Sequence, residues 1–428
     1  MKLSYQQTQL DNGLRVITCA MPYAYSVGVG FHLAVGSRYE SEELAGISHF
    51  VEHMMFKGTE RRPSPQALAA QIEGCGGVFN AATAQEGTVL WAKLPRGHLN
   101  LALDVLADML RHSLLLPEEI EKERRVILEE LAASQDVPEE LASQLIYEIT
   151  WPGHPLGRDI AGTPESVRRI TREAMTAYLA SHFSPQATVL SVAGDVDHEQ
   201  VVAAAEALLG DWSAASAASF EPAPADGADV RAAILHRDTE QTHFILHLPA
   251  FSRRDPDRYA LGLLHTVLGE GMSSRLFLEI RERLGLAYAV DSHVVLLTDT
   301  GVMGVYAAVA PENTRQALRA VLGELRRLRE APVAPEVLER AREYSKGRLM
   351  LGMEDTLAVG GWLGRQAVLN HEVLTVEEAM ARMDAVTVED IQRVAQRVIR
   401  PAGARLALVG PHDPAESSAF EEMLAEEL

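Results

Sequence analysis

Apolar and polar residues alternate over residues 14–19 and again over 27–33, where Val27, Val29, Phe31 and Leu33 fall on one face. A period of two predicts half-buried strands, and residues 88–94 and 244–248 read the same way. Both halves of the chain close on helix-like sequence, a short apolar run and a glycine, at residues 189–194 and 406–410. The repetition predicts a duplicated α+β unit. Between the halves, residues 213–228 are Ala-, Ser- and Pro-rich without a hydrophobic period, which is linker chemistry. The expected organisation is a domain over 1–212, a linker over 213–228 and a domain over 229–428.

Three helices are expected in the first half. One spans residues 42–57, with Ser41 as N-cap and Gly58 just past its end. A second starts at Ser64-Pro65 and stops at Gly74. The third runs from Pro117 to about Ser134, with Glu118 and Glu119 in the first turn, where the helix dipole favours them.

The first of these helices carries His49 and His53, four residues apart and therefore on one face, with Glu52 beside it. Ile47, Phe50, Val51, Met54, Met55 and Phe56 make the helix apolar nearly all round, the mark of a buried helix. Two imidazoles and a carboxylate in such a setting need partners, and a zinc ion supplies one. Histidines satisfied by backbone carbonyls are the structural alternative. A zinc site with two histidines needs a further ligand. On the Pro117 helix, Ile120, Glu123, Ile127, Glu130 and Leu131 share an inward stripe, whereas Glu118, Lys122, Arg125 and Glu129 form a solvated face. Carboxylates on an apolar face are paired or metal-bound. Glu130 is assigned as the third ligand and Glu123 as a partner orienting a ligand imidazole.

The chain has 428 residues, 47% apolar and 23% charged, with room for large cores. Its net charge of −21 argues against nucleic acid or an anionic membrane as partner. Cys19 and Cys75 form no C-x-x-C and no Cys/His cluster, which excludes a disulfide framework and argues against a cysteine metal site; reduced thiols are favoured over a single Cys19–Cys75 bridge. The N-terminus lacks an apolar signal segment, and no run is long enough to span a membrane, so a cytoplasmic location is expected.

H-x-x-E-H followed later by Glu is the inverted zincin motif. Residues 46–59, with residues 123–131, 77–88, 154–157 and 162–165, resemble the pitrilysin, insulin-degrading enzyme and mitochondrial processing peptidase family over nearly the whole chain. The resemblance implies two homologous α+β domains, each a mainly antiparallel sheet with helices packed on one side. Residues 271–288 match the family's Arg/Tyr element, which implies that Arg281 and Tyr288 reach the zinc site from the second domain and steady the substrate carbonyl oxygen. A zinc metallopeptidase is expected: one zinc per chain on His49, His53 and Glu130, water in the open position, and Glu52 as general base. The substrate is expected to be a peptide added as a strand along residues 77–84, against Asn80, Ala81, Ala82 and Thr83. Family members enclose substrate between four such units. A homodimer is therefore expected, with a heterodimer, or a non-catalytic scaffold subunit, as the alternatives.

Overall fold

A computed structural model describes residues 4–213, 219–225, 229, 231–370 and 372–428. The chain forms two compact units, each discontinuous in sequence.

The first unit comprises Met1–Leu131, Asp159–Glu221 and Leu349–Glu378. Its sheet contains β1 (Tyr5–Gln9), β2 (Arg15–Ala20), β3 (Ser26–Leu33), β4 (Val78–Thr83), β5 (Thr88–Pro95) and β6 (Thr188–Gly194), in the order β1-β2-β6-β3-β5-β4. Only the β2–β6 pair is parallel. Val27, Val29, Phe31 and Leu33 face one core with Leu90, Ala92 and Val192, as the alternation predicts. The helices α1 (Ile47–Met55), α2 (Pro65–Glu73), α3 (Leu99–His112) and most of α4 (Pro117–Ser134) lie in this unit on the core side or at its rim, together with the helices Pro164–Arg169, Arg172–His182 and His198–Leu209.

The opposite face of this sheet is apolar too, with Ile17, Cys19, Val189 and Ala193 buried. The helix Thr356–Arg365 covers it, placing Val359 and Leu363 there. Burying such side chains stabilises by about 1.5–3 kcal/mol each. Close approach is the reason for Gly28: a Cβ there would lie 2.8 Å from the Leu357 backbone. Asp355 caps this helix through Leu357 N and Ala358 N and pairs with Lys93.

The second unit comprises Ala132–Arg158, Pro222–Arg348 and Ala379–Leu428. Its sheet orders β7 (Arg231–His236), β8 (Thr242–Pro249), β9 (Ala287–Leu296), β10 (Gly301–Val309) and β11 (Arg405–Gly410) as β7-β11-β8-β10-β9, with β7–β11 the parallel pair. Without β1, the first sheet has the same order and the same place for its parallel pair, as a duplicated unit requires. The helix α5 (Pro138–Thr150) lays Leu141, Ala142 and Ile146 on Ile245, Tyr306, Ala407 and Val409.

The units thus differ from the continuous segments expected from the sequence. β6 and β11 are buried along their whole length, so each sheet needs cover on both faces. The second cover is α5 in one unit and Thr356–Arg365 in the other, each taken from the opposite half of the chain. One of the five passages between the units, at Glu221–Pro222, falls within the 213–228 stretch, of which residues 214–218 and 226–228 lie outside the described residues. Cys19 and Cys75 are both free thiols.

Candidate metal centre

The helix that bears the histidines starts later than the pattern indicates. Residues Glu42–Leu44 form a separate 3-10 turn, and Ser41 makes no side-chain cap. Gly46, with φ 91°, turns the chain into α1 at Ile47. The cap is Glu40, whose Oε2 accepts from Gly46 N and Oε1 from Ser48 N, each at 2.7 Å. A buried carboxylate on the free N–H groups of a helix N-terminus satisfies both the donors and the dipole. No local spacing rule picks out Glu40, because it sits outside the helix it caps. By contrast, α2 begins at Pro65 with Ser64 accepting from Ala67 N, and α4 spans Pro117–Ser134, both as predicted.

On α1 the two imidazoles meet. His49 Nε2 and His53 Nε2 lie 3.1 Å apart, and Glu130 Oε2 is 3.7 Å from His53 Nε2. One ligand atom from each of His49, His53 and Glu130 falls within 4.8 Å of the others, the one such cluster among the described residues. Two imidazole nitrogens on one tetrahedral zinc, at about 2.0–2.1 Å each, stand roughly 3.3 Å apart. The donor set and its spacing therefore fit zinc.

The outer contacts of the two imidazoles are unequal. His53 Nδ1 donates to Glu123 Oε1 at 2.9 Å, which fixes the tautomer and leaves the Nε2 lone pair pointing inward. His49 Nδ1 is buried and has no hydrogen-bond partner among the described residues. Burial, and then the neighbouring His53, pull His49 down to about 4, so its ring is neutral and free to ligate at pH 7.

Glu52 is buried one residue before His53, and its Oε2 accepts from Thr83 Oγ1 at 2.5 Å. Burial raises its carboxyl above the usual range, opposed by the Thr83 hydrogen bond and His53, with the Glu130 carboxylate adding to the rise. Such a carboxyl is a stronger base than an exposed one.

The inward stripe on α4 holds for Ile120, Glu123, Ile127 and Leu131, all buried. Glu130 departs from it: its side chain is 48% exposed. It lies two turns beyond Glu123 and reaches the imidazoles from the rim, where solvent can enter. Sequence reasoning missed Lys57, whose Nζ lies 2.5 Å from Glu123 Oε2, and missed the role of Thr83 as a donor to Glu52. An apolar helix ending in a lone Lys, opposite an inward Glu, was the available signal for the first.

Residues 78–83 form β4, an edge strand that pairs with β5. Asn80 and Ala82 are exposed, Ala81 is buried, and Thr83 turns toward α1. Arg281 and Tyr288 belong to the second unit. Arg281 lies on a π-helical turn, Phe277–Arg283, and donates from Nη1 to the Tyr288 carbonyl at 3.0 Å. Its guanidinium lies 4.7 Å from the Tyr288 ring centroid, and that ring is 77% exposed.

A duplicated α+β fold with H-x-x-E-H on one helix and a distal glutamate on another defines the inverted-motif class of zinc-site proteins. The family profile described as Insulinase (Peptidase family M16) matches residues 15–164, and that described as Peptidase M16 inactive domain matches residues 169–344. An uncharacterized zinc protease from Streptomyces coelicolor is 36% identical, over 98% of this chain and 92% of its own. One from Rickettsia bellii is 35% identical, over 96% and 99%. The crystal structure of a protease from Helicobacter pylori shares the fold with a TM-score of 0.90 at 22% identity, over 96% of this chain and 100% of that one. The chain belongs to the M16, or insulinase, peptidase family. Among the described residues no helix is long and apolar enough to cross a membrane.

Proposed function

We propose that this chain is a zinc-dependent endopeptidase that hydrolyses peptides or unfolded segments bound as an added β-strand. The observation that carries this reading is the placement of Glu52 on the same helix as the two histidines, hydrogen-bonded to Thr83 of the edge strand. One contact ties the base to the strand along which a peptide would lie. The names of the relatives, zinc proteases, support the same reading.

Zinc on His49, His53 and Glu130 would acidify a water toward neutrality and polarise the scissile carbonyl. Glu52 takes the proton of the attacking water and returns it to the leaving amine, and Thr83 holds the carboxylate in place for both transfers. The backbone of residues 78–83 pairs with the substrate main chain, so recognition reads chain direction before side chains. Arg281 and Tyr288 steady the carbonyl oxygen as charge develops, a role taken from the family resemblance and supported by the exposed ring and its guanidinium partner. The working form is a homodimer that encloses substrate between four units.

The test is Glu52→Gln. Gln keeps the shape and the Thr83 contact but accepts no proton, so cleavage of an unfolded peptide should fall by about 100–10,000-fold with zinc content unchanged. Near-wild-type turnover would remove Glu52 from the role of base. A wild-type protein that binds zinc and cleaves nothing would support the scaffold reading instead.

A further inference from the structure

The two ligand imidazoles differ in what holds them from behind. His49 Nδ1 has no partner among the described residues, so among these residues the outer contact to a ligand imidazole is the one on His53. Behind His53 stands Glu123, its side chain 8% exposed, with both oxygens engaged: Oε1 on His53 Nδ1 at 2.9 Å and Oε2 on Lys57 Nζ at 2.5 Å. A carboxylate held by one oxygen can swing about its terminal torsion. One held at both oxygens cannot, and the face it offers His53 is fixed.

Lys57 is well placed to be that second anchor. Its backbone N donates to Met54 O in the last turn of α1, where the helix dipole favours a cation. Just beyond it the chain is pinned: Thr59 N donates to Arg62 O, Thr59 Oγ1 donates to Asp108, and Arg62 pairs with Asp104 and Asp108. The Lys57 backbone is therefore fixed on both sides, and only the side chain needs ordering to reach Glu123.

From this geometry we infer that Lys57 is a positioning residue for the metal centre, holding the Glu123 carboxylate in the orientation that aims His53 at the metal position. The inference rests on the reading of His49, His53 and Glu130 as a zinc site. It adds a residue that does not touch the metal and that the H-x-x-E-H pattern does not include.

The experiment measures zinc affinity, by competition between zinc-free protein and a chromophoric chelator, for wild type, Lys57→Met, Lys57→Arg, Glu123→Gln and the Lys57→Met/Glu123→Gln double variant. Outer partners of ligand histidines typically govern about 10–100-fold in affinity. Lys57→Met should weaken zinc by about 10-fold, and Lys57→Arg, which keeps the charge, should recover most of it. The double variant should bind about as weakly as Glu123→Gln alone, because Lys57 acts only through that carboxylate. Melting of the zinc-free forms separates this from a fold defect, since a structural role would lower melting and leave the affinity pattern additive. Unchanged affinity in Lys57→Met, or a full further loss in the double variant, would overturn the inference. A wild-type protein that takes up no zinc would instead overturn the metal-site reading beneath it.

Discussion

Truncating Asp108 should destabilise the first unit more than any surface change near the site. The Asp108 side chain is fully buried in α3, where it accepts from Thr59 Oγ1 at 2.6 Å, Arg62 Nη1 at 2.5 Å and Arg61 Nε at 3.2 Å. Asp108→Ala removes three hydrogen bonds, two of them from guanidinium groups, and leaves Arg62, itself 6% exposed, short of its deepest partner. Breaking a buried pair from one side costs about 3–5 kcal/mol. Arg62 keeps Asp104 and Gln71, which places the expected loss near the lower end, about 3 kcal/mol. For a cooperative unit of about 150–250 residues, each kcal/mol moves melting by about 2–4 °C, so the transition of the first unit should drop by about 6–12 °C in calorimetry at pH 7. Burial pushes the Asp108 carboxyl up, but Thr59, Arg62 and Arg61 outweigh it and hold it below its ordinary value of 3.8. A depressed carboxyl contributes stability above the unfolded value and loses it as pH falls through the folded one. The gap between wild type and variant should therefore shrink below about pH 3.8. A drop under about 2 °C at pH 7 would refute the assignment of this pair as a main tie of the 57–62 segment.

Three further outcomes follow. Glu130→Ala should strip zinc, whereas Glu129→Ala, one residue and about 100° around α4, should leave it bound; zinc loss in Glu129→Ala alone would shift the ligand register by one. In the second unit, burial and then His293 hold His247 well below its usual 6.5, and burial and then His265 pull His293 down to about 4. The unfolded chain takes up protons below 6.5 while these buried rings stay neutral, so stability should fall by about 1.4 kcal/mol per pH unit per ring between about pH 6.5 and 4. His293→Gln should flatten that slope in urea titrations, and an unchanged slope would remove this ring as its source. Light scattering at micromolar concentration should give about twice 46.7 kDa, and full activity at 46.7 kDa would rule out the dimer.

What could be read in the sequence was the local chemistry. Pro117 and the cap at Ser64 mark helix starts that the structure places at the same residues, because each signal resides in the element it starts. The three-fold and four-fold spacing on α4 picks out Glu123 for burial. What could not be read depends on distant chain. Glu40 caps α1 from across a separate turn, and Thr83 reaches Glu52 from a strand 31 residues away. The exchange of α5 and Thr356–Arg365 had no local mark at all, since both are ordinary amphipathic segments whose partner sheet only the fold determines.

The duplication sharpens what makes the first unit a site. In strand order β8 corresponds to β3 and β9 to β4, and the helix Arg258–Gly269 follows β8 as α1 follows β3. On α1 that position offers His49, Glu52 and His53; the helix Arg258–Gly269 offers His265. His265 Nδ1 lies 2.7 Å from Ser292 Oγ on β9, and its Nε2 lies 3.4 Å from Glu270 Oε2. Both ring nitrogens are thus taken by neighbours, and no second imidazole faces them on the helix. In the first unit the corresponding strand-to-helix contact, Thr83 to Glu52, leaves both histidine Nε2 atoms turned toward each other and toward Glu130. The same sheet and helix order gathers His49, His53 and Glu130 in one copy and leaves a single helix imidazole between Ser292 and Glu270 in the other, and the difference lies in a few side chains on one helix face.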